Sequence, residues 1–343
     1  MPIFFNSYVY SMPTFIYAFT TATFTANNNG NTGPVLSTAK AGITGTPSPA
    51  TWYDSYLNMT TQGIMRWTVP ATGTYTIRAM GASGGGASYG GTSLGGRGAI
   101  VQANFALTQG QVLQILVGQG GATAGSGVNY GSGCDPAGGG GTFVVDESNN
   151  PLIIAGGGGG GSTPYWGGVI NGQDGQTTRN GGSTGGGAGG TNGSGGSQGH
   201  AQSGAGFSGN GAFPSWGTSG FTVASSFLNG GVGATSTNSA DNWPRNGGFG
   251  GGGAAHGYCC IGGGAGGGYS GGGGGPSQCY NGAGGGSFIA SSAIAGSVQT
   301  SDGLYDGSST FGGSAITNLG TYNSYGGCCS TYGANGSVVI TRV

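Results

Sequence analysis

The chain has 343 residues, of which 89 are glycine and only 4% are charged, with a net charge of −1. Its seven basic residues are scattered between Lys40 and Arg342. They build no patch from sequence neighbours, which argues against nucleic-acid binding through phosphates and against electrostatic attachment to membranes.

Residues 1–24, MPIFFNSYVYSMPTFIYAFTTATF, are apolar. No Lys or Arg precedes Lys40, so they do not read as a secretory signal. Asn6, Pro13 and several Ser and Thr interrupt any spanning helix. The strand-forming composition predicts an extended arm from about residue 3 to 24. Such an arm either packs on its own domain or adds a strand to a neighbouring subunit. Residues 1–62 are read as this arm and lead-in strands.

Residues 63–155 carry the clearest strand patterns. GIMRWTVPATGTYTIRAM (63–80) reads as a strand pair around Pro70 and Gly73, with Tyr75, Ile77 and Ala79 alternating with Thr74, Thr76 and Arg78. AIVQANFALTQGQVLQILVG (99–118) reads as two strands around Thr108–Gly110. TFVV (142–145) and PLIIA (151–155) flank a polar turn. GSFIA (286–290) and GSVVITRV (336–343) are later candidates, and 287–343 is read as the C-terminal strands. No segment has a helical period. Short antiparallel strands separated by turns predict an all-β sandwich or jelly-roll.

Residues 156–286 hold most of the glycine. Runs of three or more fall at 156–161, 185–187, 250–253, 262–264, 266–268, 271–275 and 284–286, with two earlier ones at 84–86 and 138–141. Such bias usually signals disorder, but disordered chains are charged and poor in aromatics, and this one is 10% aromatic. An isolated glycine run stays flexible because ordering it costs the most entropy. Many runs have another option. A left-handed three-fold helix points its backbone N–H and C=O groups sideways, so several can pack together and satisfy one another. Gly156, Gly157, Gly158, Gly159, Gly160 and Gly161 are therefore predicted to form one helix of a packed lattice.

At this point QGIMRWTVPATGTYTIRAMGASGG (62–85), GQVLQILVGQGG (110–121), GGGGTFVVDESNNPLIIAGGGGGG (138–161) and GGFGGGG (247–253) carry a likeness. Their order resembles the glycine-rich domain of the anaplastic lymphoma and leukocyte tyrosine kinase receptors over residues 62–343. Similar chains occur in phage and giant-virus proteins, including tail-fibre adhesins. The resemblance implies a jelly-roll-like, tumour-necrosis-factor-like β-sandwich with an inserted bundle of polyglycine II helices. The chain has no kinase region and only eight acidic residues, so the receptors' acidic cytokine-binding patch is not carried over.

Motifs for chemistry are weak. G-x-S-x-G occurs at 81–85, 86–90 and 268–272, as chance produces in a Gly- and Ser-rich chain, without a following helix for a nucleophile elbow. Walker A is absent, and the cysteine and histidine spacing fits no zinc site. Cys134, Cys259, Cys260, Cys279, Cys328 and Cys329 permit three disulfides in fifteen pairings, or remain free and buried. Tyr165, Trp166, Trp216 and Trp243, in glycine-rich spacers, are candidate recognition aromatics; the competing reading is that they cover the lattice.

The expectation is a non-enzymatic structural or adhesive subunit of an extracellular or virion-surface assembly, without cofactor or metal and without membrane insertion. Its partners would be copies of itself or other fibre or virion subunits, and a cell-surface receptor or glycan. The rival is a monomeric recognition domain.

Overall fold

The computed structural model describes residues 15–47, 52–87, 93–123, 136–162, 168–215, 217–236, 245–255, 262–276, 280–295, 299–300, 304–305, 309–310 and 332–343. The chain is all-β in class, mostly strands in antiparallel sheets with very few helices.

Two six-stranded sheets dominate. The first contains, in spatial order, β13 (Gln299–Thr300), β6 (Ile100–Leu107), β5 (Gly73–Met80), β16 (Ser337–Arg342), β1 (Thr21–Thr25) and β2 (Thr44–Thr46). The second contains β12 (Phe288–Ile289), β9 (Pro151–Ala155), β8 (Thr142–Asp146), β7 (Val112–Leu116), β4 (Ile64–Thr68) and β3 (Leu57–Thr61). β10 (Phe221–Thr222) with β11 (Thr235–Ser236), and β14 (Leu304–Tyr305) with β15 (Ser309–Thr310), form small ribbons.

Alternation sends one face of each strand inward. Tyr75, Ile77, Ala79, Val101, Phe105, Val338 and Ile340 from the first sheet share one buried cluster with Met65, Trp67, Leu113, Ile115, Val144 and Ile153 from the second. β8 is buried on both faces. Its Phe143 and Val145 pack outward with Phe207, Phe227 and Phe249 from the glycine-rich region. Phe227 stacks on Phe143 at 5.2 Å and on Phe207 at 5.4 Å. These aromatics therefore cover the second sheet.

The strands stand where alternation put them, but two pairings differ from expectation. β4 and β5 lie in different sheets, as do β6 and β7. Residues 69–72 and 108–111 are crossings from one sheet to the other. They brace one another, with Val69 N–H donating to Gln111 O at 2.8 Å and Gly110 N–H to Val69 O at 2.9 Å. Gly110 sits at φ +81 in open space, a conformation that favours glycine. Alternation reports burial of one face and carries no information on which strand lies alongside, so a crossing and a hairpin look alike. The expected hairpin at β8 and β9 is present.

The N-terminal segment is placed from Phe15 onward. β1 lies inside its own sheet between β16 and β2, and Tyr17 stacks on Trp52 and Tyr56 at 5.6 and 4.5 Å. Residues 15–24 thus pack on their own chain; residues 1–14 lie outside the described residues. Two short helices, α1 (Leu36–Ala41) and α2 (Tyr53–Tyr56), are too brief to show a helical period.

Candidate functional site

Seven strands meet glycine-containing segments at the same end of the two sheets. β5, β7 and β9 run into residues 81–87, 117–122 and 156–161. β6, β8, β12 and β16 emerge from 93–99, 136–141, 282–287 and 332–336. The pairings Met80↔Ile100, Met80↔Ser337, Leu116↔Phe143 and Thr142↔Ala155 put these ends side by side. The opposite end carries the crossings and the β8–β9 turn, where Asp146 Oδ1 accepts the N–H groups of Ser148 and Asn150, both at 2.8 Å. Glycine segments reaching each other this way include 81–86, 93–98 and 118–121, which the sequence assigned to the strand region.

Gly156–Gly161 lies at the centre, wholly buried. Its N–H groups donate in turn to different neighbours: Gly157 to Gly267 O, Gly158 to Ala82 O, Gly159 to Gln173 O, Gly160 to Gly264 O and Gly161 to Gly85 O, all between 2.8 and 3.0 Å. Gly156 N–H goes to Ser287 Oγ at 3.0 Å. Targets three residues apart in donor belong to one neighbour: 267 and 264, then 82 and 85. The carbonyls repeat the pattern. Gly156 and Gly159 accept from Ala99 and Gly96, and Gly157 and Gly160 from Gly285 and Gly282. Gly158 accepts from Gly139.

The spacing leaves no room for a side chain. A Cβ would lie 2.0 Å from Gly285 O at Gly156, 1.9 Å from Gly96 O at Gly158, 2.0 Å from Gly282 O at Gly159 and 2.1 Å from Pro136 O at Gly160. Hydroxyls seal the margins. Thr142 Oγ1 accepts Gly118 N–H at 3.0 Å and Ser83 Oγ accepts Ala334 N–H at 2.7 Å. Ser270 Oγ accepts Gly193 N–H at 3.2 Å. Ser83 and Ser270 are the central serines of two of the G-x-S-x-G matches, and both are used as backbone partners.

The far end of the segments is also defined. Ala87 bridges Ser93, Ser162 bridges Ile170 and Ala122 bridges Tyr332. Ala137 N–H donates to Ala122 O, Gly264 N–H to Pro136 O, Gly263 N–H to Tyr280 O and Ala122 N–H to Asn246 O. Ser215 N–H donates to Gly199 O, and the adjacent His200 N–H to Gly275 O. The residues bordering positions 88–92, 124–135, 163–167, 216, 237–244, 256–261 and 277–279 are therefore gathered there. Tyr165, Trp166, Trp216 and Trp243, and all six cysteines (Cys134, Cys259, Cys260, Cys279, Cys328 and Cys329), lie outside the described residues.

Charges are used sparingly. Lys40 pairs with Asp54 at 3.1 Å, Arg66 with Glu147, and Arg97 with Asp174 at 2.6 Å. Burial pushes the phenol of Tyr17 well above the usual tyrosine range and raises that of Tyr75, which donates to Ala71 O at 2.7 Å. Among the described residues, no group of three His, Cys, Asp or Glu side chains is placed to hold a metal, and no helix is long and apolar enough to cross a membrane. No local pattern announces the Arg97–Asp174 pair, whose partners lie 77 residues apart. No protein-family model matches the chain, and no curated protein matches it.

Proposed function

We propose that this chain is a non-enzymatic structural and adhesive subunit of an extracellular assembly: a virion fibre, tail tip or surface filament. In this reading the two sheets are a jelly-roll-like β-sandwich, and the glycine segments are a bundle of polyglycine II helices growing from one end of it. The chain is placed with the glycine-rich domains that its motif order resembles.

The observation that carries the reading is the three-residue repeat of partners along Gly156–Gly161. A left-handed helix with three residues per turn aims every third N–H the same way. Each central glycine is then satisfied by backbone from a neighbouring segment, at about 1 kcal/mol net per hydrogen bond. A body made this way needs few charges and presents few ionic groups, which suits a stiff spacer exposed outside a cell.

The adhesive role is assigned to the candidate recognition aromatics Tyr165, Trp166, Trp216 and Trp243 of the glycine-rich spacers. Electron microscopy of the purified native particle tests the assembly: a fibre, tip or filament containing this chain supports it, and a dispersed monomer refutes it. The second reading, a monomeric recognition domain for a cell-surface protein or glycan, draws on the same aromatics. Trp166→Ala, Trp216→Ala and Trp243→Ala together should leave assembly intact and lower attachment to cells. Strand donation to a neighbour now concerns residues 1–14 alone, and normal assembly of a chain lacking them would remove it.

A further inference from the structure

An open polar cleft of about 590 Å³ lies on the flank of the glycine segments, between residues 94–97 and 171–176. Three of its side chains, those of Asn171, Gln173 and Gln176, share one arrangement: one amide atom is held and the other has no partner among the described residues. Asn171 Oδ1 accepts Leu94 N–H at 2.9 Å, while no protein group of the described residues takes its Nδ2. Gln173 donates from Nε2 to Ser183 O at 2.9 Å, and Gln176 from Nε2 to Asp174 O at 2.6 Å. The Oε1 atoms of both glutamines have no donor among the described residues. Arg97 and Asp174 complete the wall. Arg97 donates to Asp174 Oδ2 from Nη2 at 2.6 Å and from Nε at 3.0 Å, and its main-chain N–H donates to Oδ1 at 2.8 Å.

We infer that this cleft binds a neutral saccharide. The free groups are an amide donor and two amide acceptors, fixed before any ligand arrives. A sugar hydroxyl is at once donor and acceptor and fits such a mixed array. Other ligand classes fit worse. Arg97 is neutralised by Asp174, so no unpaired positive charge draws a phosphate or sulfate. Among the described residues Leu94 is the sole apolar side chain of the lining, so they offer a nucleobase or an apolar peptide no stacking surface. Preorganisation lowers the ordering cost of binding. The cleft itself does not depend on assembly. Its usefulness as an adhesive contact rests on the proposed assembly, because repeated copies convert weak single-site binding into avidity.

The test uses the full chain, biotinylated and presented on streptavidin tetramers, so that multivalency is supplied whether or not the chain assembles. The probe is an array of immobilised neutral and sialylated oligosaccharides. The wild type is expected to bind at least one neutral glycan. Asn171→Asp keeps the acceptor for Leu94 N–H and replaces the free donor, and should lower the signal at least tenfold with an unchanged melting temperature. Gln176→Ala, whose side chain makes one local hydrogen bond, serves if Asn171→Asp does not fold and should do the same. Lys40→Ala, at an ion pair with Asp54 outside the cleft lining, should retain the signal. Binding to no glycan, binding to sialylated glycans alone, or unchanged signal in the cleft variants would overturn the assignment. So would an equal loss of the signal in Lys40→Ala.

Discussion

The two sheets and the glycine segments are both buried, but different atoms fill the space. Between the sheets, Trp67, Phe105, Tyr75 and Ile115 keep the backbones apart and occupy the gap. Around Gly156–Gly161 nothing separates the backbones, and carbonyls stand where side chains would be. Cost therefore runs in opposite directions. In the sheets a substitution is damaging when it removes volume. In the glycine segments it is damaging when it adds any, because both the close contact and the hydrogen bonds it permits are lost together.

The largest effect expected from this contrast is at Gly158. Gly158→Val drives a side chain into the Gly96 carbonyl 1.9 Å from the Cβ position, and should cost more than about 4 kcal/mol, at the extreme of single substitutions. It would be read as loss of soluble protein or collapse of the thermal transition. Gly185→Ala is the matched control. Its Cβ meets only Pro276 Cγ at 3.9 Å, so the melting curve should move by no more than roughly 0.5 kcal/mol. Equal damage at both sites would break the comparison.

Next comes the sheet core. Phe105→Ala, at a side chain 1% exposed, should cost about 3–5 kcal/mol in chemical denaturation, whereas Phe105→Leu should cost far less. Alkaline pH should give a smaller effect. Tyr17 and Tyr75 have phenol pKa values raised by burial, so the folded state holds its protons more tightly than the unfolded one. Their contribution is fully present below the unfolded value of about 10 and is lost as pH rises beyond it. Tyr75→Phe should flatten the fall of stability above that pH while losing the bond to Ala71 O, about 1 kcal/mol. Smallest of all is the exposed Lys40–Asp54 pair. Lys40→Ala should shift stability by less than about 1 kcal/mol, and by less still at high salt.

The same contrast explains what was legible in the sequence. Alternation marked β5, and β6 and β16 share its pattern of one face buried and the other mostly half-exposed, whereas β8 and β9 stood out as apolar runs around a polar turn. It was silent on partners, so the crossings at 69–72 and 108–111 read as hairpin turns. β1, TATFT, alternates as well. Its position at the end of an apolar stretch made it look like part of an arm, and only the pairing to β16, more than 300 residues away in sequence, sets it inside a sheet. The number of glycine runs pointed to mutual packing. That 81–86, 93–98 and 118–121 join them could not be read, because it depends on the strands ending together in space. The polar cleft joins residues 94–97 to 171–176, and no local pattern announces contact over such a separation.

Amide hydrogen exchange at Gly157–Gly161, followed by nuclear magnetic resonance beside the amides of Tyr75–Ala79 in β5, tests the central claim most directly. If each glycine N–H is bonded to a neighbouring segment and closed off from water, the five glycine amides will exchange as slowly as those of the strand. Exchange at the rate of an unstructured peptide would show a tether in place of a packed segment, and would contradict the account.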